Sequence, residues 1–414
     1  MDLTSKQKRA TFAACAAATQ AMCGSPLRIV FAYICDDYPN VAGNIQYLAM
    51  TISSLTAIFV SLIIGPLAMK LSRRLLIKIM LILELIAAMI YGLGGGILPY
   101  WCLILASIMN GFVSATMSTM PAAIIAEFCD DGATRGKLTG YVTASQQGGA
   151  LFFSLVCGAL GAINWHYAYF PHFISIIVLI IQFVVMPKEE SAEEAESASD
   201  QEKLTTADTL KLVPKRFYFM AIHYMLFFVC TFTFSSVMSK YVISEYALGT
   251  SAEVGIINAL VTGTALVSGV IFGHAYKLLR KWTVPVYTLC LGISYVCMHS
   301  ITTSIIGCVL GAILGALGKS AIMPYVVSNM TGKVPGKAMP VIISLMVCMM
   351  NVGMFVSVYL IQPLSNLIFG SDGIPQRIDT TIIISAALVV AGVLIYVVFD
   401  RSEFNEVPAK GRRH

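Results

Sequence analysis

The amino-acid sequence predicts an all-α integral membrane protein with twelve transmembrane helices in two pseudo-symmetric halves of six. The composition, the spacing of apolar segments and the recurrence of short patterns along the chain support this prediction. Of the 414 residues, 57% are hydrophobic and only 12% are charged, and the mean hydropathy is +0.79. Soluble domains carry about 25% charged residues, so this chain is too apolar to enclose its surface in an aqueous core.

Twelve apolar segments are long enough to cross a bilayer, which takes about 20 residues of helix. We number them spans 1 to 12, and they cover 10–34, 43–68, 76–97, 100–126, 138–162, 167–186, 217–242, 252–276, 283–301, 303–328, 338–363 and 379–399. The first span follows Lys6, Lys8 and Arg9 and is too long for a cleaved signal, so we interpret it as a retained helix.

A polar, acidic stretch separates spans 6 and 7, "PKEESAEEAESASDQEKLTTADTLKLVPKR". Such a composition is typical of a solvated linker. The predicted organisation is an N-terminal six-helix half (1–186), a cytoplasmic acidic linker (187–216), a C-terminal six-helix half (217–400) and a cytoplasmic tail (401–414).

The positions of the basic residues orient the helices. With the N-terminus in the cytoplasm, 23 of the 27 Lys and Arg residues fall in cytoplasmic segments. This positive-inside pattern predicts a multi-pass protein of the cell membrane, or of the inner membrane in a bacterium, with both termini cytoplasmic. Lys240 and Arg377 fall on the opposite side, and Arg28 and Lys319 fall within spans.

Several function classes lack support in the sequence. The 11 cysteines lie mostly in apolar segments without paired ligand spacing, so we expect neither a disulfide framework nor a metal site. The chain has no nucleophile elbow, nucleotide loop or ATP-binding cassette. We therefore expect no enzyme activity, no cofactor and no nucleic-acid partner.

Short patterns recur between the two halves. "PLAMKLSRR" (66–74) returns as "GHAYKLLRK" (273–281), and "MSTMPAAII" (117–125) returns as "SAIMPYVVS" (320–328). Such internal repeats place a ligand site between the halves near the bilayer midplane.

The chain resembles the major facilitator superfamily over essentially its whole length. The resemblance rests on "GPLAMKLSRR" between spans 2 and 3, on "AEFCDDGATRGKLTGY" between spans 4 and 5, and on the basic turn after span 8. It implies a secondary transporter that works by alternating access, with spans 1, 4, 7 and 10 lining the cavity. The turns after spans 2 and 4 would then form a gating loop containing Lys70, Arg73, Arg74 and Arg135.

Three departures from the family pattern are visible. Met69 stands where the loop motif of the family has aspartate and Ser72 where it has a second glycine. Ser107 stands where proton-coupled members have an arginine in span 4. Span 5 lacks the Gly-Pro motif of drug/proton antiporters. These departures argue against an ordinary proton-driven drug exporter.

Arg28 and Lys319 are the strongest candidates for substrate binding, because a charge retained inside a membrane usually faces the bundle interior. "GSP" at 24–26 can open span 1 beside Arg28, whereas the alternative is that Arg28 reaches the outer headgroups with Asp36 and Asp37. Lys319 has either a binding or a structural role. A straight-helix estimate puts the two about 15 Å apart in depth. The anion is then elongated, or the two residues act at different stages.

Weaker candidates complete the predicted site. The further substrate contacts are Gln146, Gln147, Asn351, Asn110, Tyr224 and Phe228. Helix packing alone would equally explain the aromatic pair. Glu84 either satisfies a neighbouring helix, neutralises a base or carries a coupling proton. His223 is a second coupling candidate or a simple hydrogen-bonding residue.

These features predict a monomeric secondary transporter of a small or amphipathic organic anion, such as a carboxylate, by symport or exchange. Its partners would be the anion, the lipid bilayer and a coupling ion, for which we consider a proton. One alternative is efflux of amphipathic or cationic drugs. Another is a membrane sensor of the same fold that binds without transport. The sequence leaves the substrate and the direction of transport open.

Overall fold

The computed structural model describes residues 3–70, 72–129, 132–187, 215–319, 321–330 and 339–398. In the first half, the helices are Ser5–Ala18, Ser25–Ile29 and Phe31–Asp37 (span 1), Gly43–Lys70 (span 2), Arg73–Gly92 (span 3), Tyr100–Phe128 (span 4), Gly132–Ile163 (span 5) and Ile174–Val184 (span 6). Two 3₁₀-helices, Thr19–Met22 and Trp165–Phe173, belong to spans 1 and 6.

In the second half, the helices are Lys215–Lys240 (span 7), Ser251–Leu279 (span 8), Thr283–Ser300 (span 9), Ile306–Lys319 and Ile322–Met330 (span 10), Met339–Phe369 (span 11) and Ile374–Val393 (span 12). Turns of π-helix, Tyr241–Glu245 and Leu394–Val398, extend spans 7 and 12. Each of the twelve predicted segments therefore coincides with a helix. The predicted tail and nearly all of the linker lie outside the described residues.

Ten continuous helical runs in the described residues are long and apolar enough to cross a membrane. One of them, Ser251–Ser300, contains spans 8 and 9, which meet at a turn where Arg280 has a φ of 46°. Span 1 is absent from the ten because it is divided into short helices. Twelve membrane crossings result, as the composition predicts.

Side-chain caps fix several helix ends. Thr4 begins span 1 with a capping box, in which its hydroxyl accepts from the Gln7 N–H at 3.2 Å and its own N–H donates to Gln7 Oε1 at 3.1 Å. Thr250 and Glu253 form the same arrangement at the start of span 8. Such caps satisfy N–H groups that a helix leaves unpaired at its first turn.

The packing of the helices follows the repeat. Span 4 packs on spans 2 and 3 as span 10 packs on spans 8 and 9, and span 1 packs on span 5 as span 7 packs on span 11. Between the halves, span 2 packs on span 11 and span 5 packs on span 8. The pseudo-two-fold axis that relates the halves converts each of these two contacts into the other. The fold is a helical bundle in which one hydrophobic core cluster contains residues of both halves and a second lies within the first half.

The halves join at one end of the bundle. Gly158 of span 5 and Gly255 of span 8 touch backbone to backbone, and the Ser251 hydroxyl donates to the Gly158 carbonyl at 2.9 Å. Within the described residues, the hydrogen bonds between halves run from the middle of the bundle to this end, where span 1 finishes. We call it the closed end, and we call the end that carries the N-terminus and Arg73 the basic end.

Candidate functional site

Arg28 lies at a break in span 1. The chain leaves its 3₁₀-helix at Cys23 and Gly24 and begins a five-residue helix, Ser25–Ile29, with Pro26 in its first turn. The sequence "GSP" predicts this break, because proline fits the first turn of a helix but not its interior. Arg28 stands in the last turn of the short helix, where the helix dipole favours a cation.

The Arg28 side chain points toward the second half of the protein. Its guanidinium carbon lies 5.8 Å from the ring centroid of Phe232 in span 7, which is the geometry of a cation–π contact. The segment Ser25–Ile29 also packs on spans 5, 7 and 8. Arg28 therefore faces the inter-helix interior rather than the headgroups that the alternative interpretation requires.

Lys319 lies in span 10. It is the last described residue of helix Ile306–Lys319, and helix is described again from Ile322. The Lys319 ammonium lies within range of electrostatic repulsion by the Arg28 guanidinium. Span 1 is broken beside Arg28, so the straight-helix estimate of the two depths does not describe the actual geometry.

Neither cation is neutralised within the described part of the chain. Arg28 and Lys319 form no ion pair or hydrogen bond with a described residue. Both side chains are partly buried. Two like charges within electrostatic range of each other are costly when they are withdrawn from water, unless a negative group joins them.

The other predicted substrate contacts are distributed differently. Tyr224 and Phe228 are buried, and their rings pack edge to face at 4.9 Å. A side chain in place of Gly353 would meet the Cβ of Phe228, which places this phenylalanine at the contact between spans 7 and 11. Phe232, one turn further along span 7, is the aromatic residue that contacts Arg28.

The polar candidates make local contacts. Gln146 donates to the Ser118 carbonyl of span 4 at 3.3 Å, and Asn351 donates to Val347 in its own helix at 3.0 Å. Gln147 is partly exposed, and Asn110 is buried in span 4, where its carbonyl accepts a weak bond from Cys23. Asn110 therefore adjoins the break in span 1, while the remaining amides lie on spans 5 and 11.

Glu84 is buried in span 3 at 1% exposure, and within the described residues neither of its oxygens forms a hydrogen bond. The Ser175 hydroxyl lies nearby but donates to Gln20 Oε1 at 3.2 Å. An unsatisfied carboxyl of this kind is a functional candidate. His223 instead ties span 7 to span 12, with Nε2 bonded to the Leu388 carbonyl at 3.1 Å.

The predicted gating loop braces the first half at the basic end. Arg73 forms an ion pair with Glu127 of span 4 at 2.6 Å. Arg74 donates to the Met186 carbonyl at 2.6 Å and Arg135 to the Cys129 carbonyl at 3.1 Å. The Lys70 side chain lies outside the described part of the structure.

Sequence analysis missed Ser239. Its hydroxyl donates to the Ile29 carbonyl at 2.9 Å and accepts from the Ala32 N–H at 3.1 Å. A residue of span 7 therefore forms hydrogen bonds with the backbone at the second break in span 1, between helices Ser25–Ile29 and Phe31–Asp37. No local pattern marks this serine, because its partners lie about 200 positions away in the sequence. Within the described residues no cluster of metal-binding side chains is present.

The sequence pattern of the Major Facilitator Superfamily matches residues 12–358. The chain belongs to this superfamily. It is similar in fold to a bacterial homolog of the human lysosomal transporter Spinster in an inward-facing, unoccupied conformation (TM-score 0.73, 13% identity, covering 95% of this chain and 96% of that one). It is also similar to the nucleoside transporter NupG (TM-score 0.74, 13% identity, 94% and 100%). None of the curated proteins compared with the chain matches it in sequence.

Membership in this family of multi-pass membrane transporters agrees with the twelve crossings and with a site between the halves. At 13% identity, the solved structures establish the fold, and their own substrates are not evidence about this chain.

Proposed function

We propose that this protein is a secondary transporter of organic anions, that Arg28 and Lys319 bind the negative group of the substrate, and that the halves rock about this site. The observation that carries the proposal is a pair of cations, one from each half, that form no ion pair with a described residue, with Arg28 at the break in span 1. A carboxylate would accept two parallel hydrogen bonds from the arginine fork and one from the mobile ammonium.

The proposed contact with the apolar part of the anion includes Phe232 and an apolar groove. An apolar groove of about 450 Å³ lies between spans 5 and 8, and its lining includes Leu151, Leu155 and Leu260. The segment that carries Arg28 packs against both of these spans. This arrangement favours an amphipathic anion, and it is also the observation that keeps efflux of amphipathic compounds as the second candidate.

Coupling to a proton belongs to the same proposal. Glu84 supplies a buried carboxyl that lies within electrostatic range of Cys23, at the break in span 1. Gain or loss of a proton there would change the charge beside the Arg28 segment. The proposal further places both termini in the cytoplasm and treats one chain as the transporting unit, with the halves divided as the sequence predicts.

A thermal-shift screen of the purified protein tests the anion site. The compounds are mono- and dicarboxylates, amphipathic anions and cationic drugs, and the variants are Arg28→Gln and Lys319→Gln. Lys277→Gln, an exposed residue at the basic end of span 8, is the matched control. A ligand at 100 times its Kd adds about 2.7 kcal/mol to the free energy of unfolding.

We expect anions to stabilise the wild type and Lys277→Gln but neither site variant. Stabilisation by cations, or by anions in all four proteins, would reject the site and favour drug efflux. Uptake of the stabilising anion into proteoliposomes then separates a transporter from a sensor. A pH gradient should drive that uptake in the wild type and fail to do so in Glu84→Gln.

A further inference from the structure

Two cations break the positive-inside pattern, and both lie at the closed end. Lys240 is the last residue of helix Lys215–Lys240, and Arg377 lies in the first turn of helix Ile374–Val393. Both belong to the second half of the protein. The anion site described above uses neither of them, so their presence on the cation-poor side needs another explanation.

Both cations contact the same aromatic residue of the first half. The Lys240 Nζ lies 5.3 Å from the ring centroid of Tyr47 and 5.4 Å from that of Phe31. The guanidinium carbon of Arg377 lies 4.9 Å from the Tyr47 centroid. The two rings are themselves in contact, with centroids 4.8 Å apart. Tyr47 therefore meets a cation from span 7 and a cation from span 12.

These contacts are shielded from solvent. Phe31 is fully buried, Tyr47 is 2% exposed and Arg377 is 8% exposed. Cation–π attraction strengthens when water is removed, because less of it is screened. Lys240 is partly exposed at the edge of these three buried side chains. We call Phe31, Tyr47, Lys240 and Arg377 the cation–aromatic cluster.

The hydrogen bonds of Arg377 stay within its own half. Nε donates to the Asp372 carbonyl at 2.7 Å, and a terminal nitrogen lies 3.3 Å from the Asp372 carboxylate. Gln362 also donates to that carboxylate at 2.6 Å, and this bond together with Arg377 lowers the pKa of Asp372 in its loop. Asp372 orients the guanidinium and leaves its face for Tyr47.

Ser239, which precedes Lys240 in the chain, adds hydrogen bonds between the halves. Ser239 bonds to Ile29 and Ala32 on either side of the break that precedes Phe31. One turn of span 7 thus supplies a hydrogen-bonding residue and a cation to the same end of span 1. The contacts that join the halves here are attached to the segment that also carries Arg28.

We propose that the cation–aromatic cluster is the gate of the closed end, which holds the two halves together in this state and separates when the other end closes. Alternating access requires the contacts between the halves at the closed end to break and reform in each cycle. A cation–π contact suits that role, since water replaces the ring as the partner of Lys240 and Arg377 on opening. The proposal depends on the rocking of the halves and on no particular substrate.

The matched pair Tyr47→Leu and Tyr47→Phe tests the gate. The Tyr47 hydroxyl has no hydrogen-bond partner among the described residues, so phenylalanine keeps the ring while leucine removes it. The reporter is Cys35, which is 7% exposed and lies beside Lys240. Its modification by a membrane-impermeant maleimide is followed by peptide mass spectrometry in nanodiscs, with partly exposed Cys102 as the internal reference.

We expect Tyr47→Leu to raise the rate of Cys35 modification about tenfold, the effect of losing one desolvated cation–π contact. Tyr47→Phe should behave like the wild type. Equal rates in all three proteins, or equal increases in both variants, would overturn the proposal.

Arg377→Gln provides an independent variant if the leucine protein does not fold. It removes one cation on Tyr47 and keeps both rings, and it should also raise Cys35 modification, whereas Lys277→Gln at the basic end should leave it unchanged. An unchanged rate in Arg377→Gln would remove arginine from the gate and contradict the proposal.

Discussion

The closed end and the basic end of this molecule hold together in different ways. At the closed end the contacts cross between halves, through Gly158 against Gly255, Ser239 against span 1 and the cations against Tyr47. At the basic end the described polar contacts stay within one half, as in the pair Arg73–Glu127.

The difference shows where the protein can move. Intra-half bonds keep each six-helix unit rigid, whereas the inter-half contacts determine which end is open. The resemblance to the superfamily implied that the basic residues of the gating loop form a gate. In this structure their described contacts lie within the first half. Arg9 also bonds within the first half, donating to the carbonyls of Val184 and Val185 at 3.2 and 3.1 Å.

The largest effect is expected from a side chain at the glycine seam. A Cβ at position 158 would lie 2.8 Å from the Gly255 Cα and from the Ser251 carbonyl oxygen. Gly158→Val must therefore separate spans 5 and 8, and overpacking of this kind costs about 1–3 kcal/mol. We expect Cys35 modification to rise by about 10- to 100-fold, since each 1.4 kcal/mol is a factor of ten.

Gly148→Ala in the same helix is the control, because a Cβ there meets nothing within 4 Å. Its Cys35 should react at the wild-type rate. An unaltered rate in Gly158→Val would show that this seam does not hold the closed end.

A smaller effect is expected from Ser239→Ala. The change removes two hydrogen bonds to the backbone of span 1 and leaves the buried N–H of Ala32 and the carbonyl of Ile29 without that partner. Losing a buried partner costs about 1–3 kcal/mol. The melting temperature should fall and Cys35 modification should rise several-fold.

Ser236→Ala, one turn earlier in span 7, is the comparison. Its hydroxyl donates to Thr233 in its own helix at 3.0 Å, so only an intrahelical bond is lost. If both variants changed the melting temperature and Cys35 modification equally, the hydrogen bonds between spans 7 and 1 would contribute no more than the intrahelical bond of Ser236.

The smallest effect is expected at the basic end. The side chains of Arg73 and Glu127 are 31% and 25% exposed, and ion pairs near solvent contribute about 0–1 kcal/mol. A double-mutant cycle with Arg73→Gln and Glu127→Gln should give a coupling below about 1 kcal/mol in the free energy of unfolding. Cys35 modification should not change in any of the three variants. A clear decrease would place a lock between the halves at the basic end as well, because its loss would disfavour the state in which the closed end is open.

The sequence by itself determined the membrane class, the twelve crossings and the division into halves. It also located the helix break beside Arg28, through "GSP". These features follow from hydropathy, charge and backbone restrictions, which act over one or two helical turns. They can therefore be recognised in a short window of sequence.

Only the tertiary structure decided which side chains meet. It brought Arg28 near Lys319, placed Phe228 against span 11 and left Phe232 beside Arg28. It also paired Tyr47 with cations about 190 and 330 positions away in the chain. The hydropathy of a span determines that it enters the membrane but not its rotation about its own axis or its partner across the seam. Those are decided by packing between distant segments.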